Sequence, residues 1–146
     1  MQHLIEGVHR FKGDEFGKYK ALFRRLSRQG QQPHTLFITC SDSRVIAELI
    51  TQSSPGDLFV VKNVGNIVPP AVPGGRNSTG AAIEFAVERL GVSDIVVCGH
   101  SQCGAVASLM DPKSCQDLPH LSTWVETAAP VRELIQGKYQ HLKTED

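Results

Sequence analysis

Two short stretches of the sequence gather side chains that could do chemistry. "CSDSR", residues 40–44, sets a thiol, a carboxylate and a guanidinium on one short segment, and "GHSQCG", residues 99–104, sets an imidazole and a second thiol three residues apart. One turn can close that imidazole and thiolate around a metal ion, with Gly99 and Gly104 leaving the backbone free to bend. With Cys40 added, Cys40, His100 and Cys103 offer two thiolates and one imidazole, borderline-soft donors suited to Zn2+. Three protein ligands leave one position of a tetrahedral ion open, as in catalytic zinc sites. Cysteine is also among the most buried residue types, so a Cys ending an apolar strand is by itself most simply core. Cys98, inside "IVVCG", is read that way, and Cys115, beside Pro and Lys, as an incidental surface thiol. His3, His9, His34, His120 and His141 lack matched neighbours and are read as surface or packing residues. No CxxC occurs, which weakens a dithiol redox reading.

These residues need elements to hold them together. Residues 1–30 read as helical: Leu4, Val8 and Phe11 share one face, Gly13 interrupts, and Phe16, Tyr19, Leu22, Phe23 and Leu26 make a second stripe, both taken as core-facing. "HTLFITC" (34–40), "DLFVVKN" (57–63) and "DIVVCGH" (94–100) are near-continuous apolar runs that suit strands buried on both faces of a parallel sheet. "STGAAIEFAVERLG" is a helix with Ser78 or Thr79 as its cap and Gly91 as its stop. The alternation predicts an α/β fold, a Rossmann-like open parallel sheet flanked by helices with further helices at the amino end. It forms one domain over 1–146, with 1–30 as a helical arm and 31–146 as the core. In such sheets ligands collect beyond the carboxyl ends of strands where the winding reverses. Cys40 closes the first strand, and His100 and Cys103 follow the third; if those strands are neighbours their ends lie about 5 Å apart.

Bulk properties narrow the partners. Fifteen basic residues balance fifteen acidic ones, so no global field recruits nucleic acid or an anionic membrane. No apolar run approaches the roughly 20 residues of a membrane span, and the amino terminus has no signal-peptide core. Four cysteines suit free thiols or metal ligands in a cytoplasmic protein better than a disulfide scaffold.

"CSDSR" and "GHSQCG", in this order on these strands, closely resemble the signature of the β-class carbonic anhydrases, over roughly residues 31–105. The resemblance implies that Cys40, His100 and Cys103 ligate Zn2+, that Asp42 and Arg44 form the catalytic pair, and that the activity is reversible hydration of carbon dioxide to bicarbonate. It implies a homodimer or larger homo-oligomer in which Gln31, Phe59, Val64 and Phe85 line the facing subunit's substrate pocket. Gly104 would offer its backbone amide to the substrate. Phe85 stands where the plant branch commonly has tyrosine, and Gln31 matches the branch whose site stays open. "LITQSSPGDLFVVKNVGNIVPP" is most like the cyanobacterial and plant branch, which implies a cytoplasmic enzyme serving carbon fixation, including within a carbon-fixing compartment. Rival readings are a hydrolase of carbon disulfide or carbonyl sulfide with the same fold and site, and a non-catalytic zinc-bearing scaffold module. Members of the family usually continue through further helices and another strand, whereas this sequence ends at Asp146 in a polar helical tail. A carboxyl-terminally incomplete core is therefore expected, less stable and less active alone than an extended form.

Overall fold

In the computed structural model, which describes residues 1–139, three parallel strands form a sheet in the order β2-β1-β3. β1 (Thr35–Cys40) is central, with β2 (Leu58–Asn63) on one side and β3 (Asp94–Cys98) on the other. The chain steps outward from β1 to β2 and then returns across β1 to reach β3, so the winding reverses at β1 and opens a crevice at its carboxyl end. In register Cys40 lies beside Asn63 and Thr39 beside Cys98.

Burial on both faces, expected of all three strands, holds for β1 alone. Each β1 residue is buried, and Leu36, Ile38 and Thr39 are fully so. β2 is mostly half-buried, while Ile95, Val96 and Val97 of β3 remain 39–53% exposed. An apolar run records affinity for a core; what covers a strand depends on its neighbours, and β3 has one strand partner among the described residues.

The amino-terminal helices form as expected, as α1 (Gln2–Arg10), a π-helical turn around Gly13 (Phe11–Glu15) and α2 (Phe16–Gln29). Their stripes do not face the core. Leu4 and Val8 are about 60% exposed, and neither helix has a buried residue. Instead Phe11 meets Phe16 edge-to-face at a ring separation of 6.1 Å, and Phe16 stacks on Phe23 at 5.9 Å along the arm. Leu26, near the end of α2, does reach the body, where it packs so closely on Gly56 that a Cβ there would come within 2.9 Å of it.

After β1, a tight turn leads into α3 (Ala47–Thr51). The helix after β2, α4 (Ser78–Phe85), starts one residue earlier than expected: Asn77 is the cap, its side chain accepting the Gly80 N–H. Thr79 is turned inward, 1% exposed, and accepts a 3.1 Å hydrogen bond from Asn63 Nδ2. A π-helical turn, Ala86–Leu90, continues α4, and Gly91 ends it in the left-handed region, as its type predicts.

Beyond β3 come α5 (Gly104–Met110), α6 (Pro119–Glu126) and α7 (Ala129–Lys138). The end of the expected polar tail, residues 140–146 including His141, lies outside the described residues. Cys115 is not a surface thiol: it is 1% exposed, because the 3-10 turn Pro112–Cys115 folds it into a cluster with Cys103, Leu109 and Val125.

Candidate metal centre

Three elements deliver three candidate ligands to the crevice. Cys40 is the last residue of β1, His100 lies two residues past β3, and Cys103 caps the start of α5. One ligand atom from each lies within 4.8 Å of the others, and the two sulfurs are 3.9 Å apart. His100 Nδ1 sits 2.8 Å from the Ser101 carbonyl, which fixes the proton on that nitrogen and leaves Nε2 with a free lone pair. That Nε2 is buried and has no hydrogen-bond partner among the described residues. A buried nitrogen lone pair without a donor, facing two thiols, is the pattern a cation would satisfy.

The protonation equilibria point the same way. Burial pushes the Cys40 thiol up, but the Asp42 backbone N–H, the His100 side chain, the Gly65 N–H and Cys103 together bring it down to about 7. His100 is shifted upward, chiefly by the Cys40 side chain. Both shifts favour a thiolate beside an imidazolium; a divalent cation can take the place of that proton, held by the thiolates and a neutral imidazole. Gly65 N–H donates to Cys40 Sγ at 3.4 Å, which supports the thiolate from the β2 side.

Asp42 and Arg44 stand beside this cluster on the turn that follows β1. Arg44 Nε and Nη2 each donate to a different Asp42 oxygen at 2.9 Å, and the Arg44 backbone N–H adds a third bond at 2.8 Å. This paired, charge-assisted contact holds the Asp42 carboxyl well below the usual carboxylate range. Asp42 Oδ2 lies 3.9 Å from His100 Nε2, so the carboxylate faces the ligand cluster. Arg44 Nη2 also approaches the Gln102 carbonyl at 3.4 Å, tying the turn after β1 to the loop after β3.

The remaining sequence-derived residues are placed less uniformly. Phe59 and Phe85 meet, with ring centroids 5.9 Å apart, and Phe85 is 46% exposed. Val64 is exposed beside Gly65, and its carbonyl accepts the Trp124 indole N–H at 2.6 Å. Gln31 is exposed in the link between α2 and β1. Gly104 is the first residue of α5, next to Cys103.

Sequence reasoning passed over Lys62, Asn63, Gly65 and Trp124. Asn63 bridges the Ile67 backbone and Thr79, which shapes the turn that aims Gly65 N–H at Cys40. Lys62 donates to two carbonyls of the Asp42 turn. A cation followed by an amide at the end of an otherwise apolar strand was the available signal. Trp124 meets Val64 across 60 residues, and no local pattern could announce that.

Known proteins share this arrangement. A family model described as "Carbonic anhydrase" matches residues 35–146. A carbonic anhydrase of Synechocystis sp. is 48% identical over 149 aligned residues, covering 100% of this chain and 53% of the relative. One from Pseudomonas aeruginosa is 45% identical, covering 92% and 60%. The chain spans about half the length of the Synechocystis relative and three fifths of that from Pseudomonas aeruginosa. Among solved structures, the β-carbonic anhydrase CcaA superposes with a TM-score of 0.91 at 46% identity, covering 100% of this chain and 70% of that one. A tetrameric β-carbonic anhydrase from Sordaria macrospora gives 0.80 at 33% identity, covering 99% and 70%. A shared fold over the whole described sheet, with a Cys-His-Cys cluster at its switch point, makes this chain a member of the β-carbonic anhydrase family.

Proposed function

We propose that the chain catalyses zinc-dependent, reversible hydration of carbon dioxide to bicarbonate and a proton. The observation that carries this reading is the convergence of Cys40, His100 and Cys103 within 4.8 Å, beside an Asp42 carboxylate already clamped by Arg44. Cys40, His100 and Cys103 would hold the ion. Bound there, Zn2+ would supply Lewis-acid activation of a water molecule at neutral pH.

The chain's own residues do the rest. Asp42 accepts a hydrogen bond from the attacking water and so turns a lone pair toward the carbon of the substrate. Arg44 keeps Asp42 ionised and fixed in plane. Gly104 N–H stands next to Cys103 as a donor toward the substrate's oxygen. Gln31, Phe59, Val64 and Phe85 would serve the pocket of a neighbouring copy, Gln31 as a donor and the others as an apolar wall. Their exposure supports this, since in one copy Val64 and Phe85 are over 40% open. The working unit is then a homodimer or larger homo-oligomer. We read residues 1–30 as an arm and 31–146 as the core of one domain, acting in the cytoplasm. No helix among the described residues is long and apolar enough to cross a membrane.

Stopped-flow hydration of carbon dioxide by the purified chain, with zinc content measured on the same sample, tests the proposal. Hydration well above the buffer rate that scales with bound zinc is expected; a zinc-loaded chain with no acceleration would refute it.

A further inference from the structure

Lys62 lies one residue before the end of β2, beside Thr39 of β1. Strand alternation sends its side chain to the face opposite that of Asn63. There its ammonium donates to the Val45 carbonyl at 2.7 Å and to the Asp42 carbonyl at 3.2 Å. Those carbonyls are the two ends of the turn that carries Arg44 and the Asp42 carboxylate. The same Asp42 carbonyl accepts the Val45 N–H at 3.2 Å, so the turn's closing bond and the ammonium converge on one oxygen. Ordering a four-carbon stem opposes this arrangement through lost side-chain entropy. Two charge-assisted bonds offset that loss. Among the described residues Lys62 has no carboxylate ion pair competing for it.

We propose that Lys62 is a positioning residue for the Asp42–Arg44 pair: it fastens both ends of the Asp42–Val45 turn to β2 and so fixes the carboxylate relative to Cys40, His100 and Cys103. This rests on the role given to Asp42 above. Lys62 acts through the backbone and touches neither substrate nor metal ligands. A loosened turn lets the carboxylate wander without releasing the ion, so the loss should fall on turnover and spare both substrate affinity and zinc.

The test compares Lys62→Met, which keeps the stem and removes the donors, with Lys62→Arg, whose guanidinium can still reach both carbonyls. In Lys62→Met, kcat is expected to fall roughly tenfold to a hundredfold, with KM, zinc per chain and melting temperature near those of the parent. Backbone amide exchange at Arg44 and Val45 should quicken, and Lys62→Arg should recover most of the kcat. Parental kcat in Lys62→Met, a loss of activity matched by a loss of zinc, or unaltered exchange at Arg44 and Val45 would each overturn the proposal. Exchange needs no turnover and is read on metal-free protein too. Quickened exchange in a chain whose parent fails to hydrate carbon dioxide would support the brace while refuting the proposed activity.

Discussion

At Cys40 one side chain answers to two demands, packing at a strand end and facing a histidine nitrogen that has no hydrogen-bond partner among the described residues. Removing any one of Cys40, His100 or Cys103 leaves two donors, too few to hold an ion against water. Cys40→Ser, His100→Ala and Cys103→Ser are each expected to lose most of the zinc found in the parent, read by elemental analysis after dialysis against a weak chelator. Full occupancy in Cys103→Ser would remove that residue from the ligand set. Asp42 sits beside the cluster, not within it, so its role separates cleanly from metal binding. Asp42→Ala should retain zinc yet lose about 10²-fold or more in turnover, and unchanged turnover would reduce the Asp42–Arg44 contact to an ordinary surface ion pair.

The connection after β2 is where an element's shape matters most to the site. Gly65 adopts φ +82°, in the left-handed region, and a Cβ there would come within 2.9 Å of the Ala105 side chain at the start of α5. Its N–H can point at Cys40 Sγ because the backbone takes that conformation. Gly65→Ala is expected to destabilise the fold by about 1–3 kcal/mol and to weaken zinc retention, measured by thermal melts with and without added zinc. An alanine variant with parental melting and zinc content would show that the turn relaxes freely. Asn63 supports the same turn from the other side, through Ile67 and Thr79.

On the scale of the molecule, apolar surface remains open on one copy. Leu4, Ile5 and Val8 on α1, and Ile95 and Val97 on β3, are all about half exposed or more. Surface of that kind favours association between copies. Light scattering after size exclusion is expected to give a mass of at least two chains, and Leu4→Glu with Val8→Glu to shift it downward. A parent that runs as a single chain at micromolar concentration would contradict the shared-pocket role given to Gln31, Phe59, Val64 and Phe85.

The sequence by itself determined the strands, the chain order of the candidate ligands and the Gly91 helix stop, because apolar runs, donor types and left-handed glycines are local properties. It also displayed the cluster of Cys40, His100 and Cys103, since strand ends at a winding reversal are where a parallel sheet gathers distant residues. Burial was not legible. The stripes of α1 and α2 and the run of β3 have the composition of core, yet lie open, because periodicity says which residues share a face and not what that face meets. Cys115 went the other way, drawn into the core by a 3-10 turn whose polar letters read as surface. The bonds from Lys62 to the Asp42 turn, from Gly65 to Cys40 and from Trp124 to Val64 join residues 17–60 positions apart. Only the tertiary structure could decide them, because such contacts depend on the register and packing of whole elements and leave no mark on neighbouring residues.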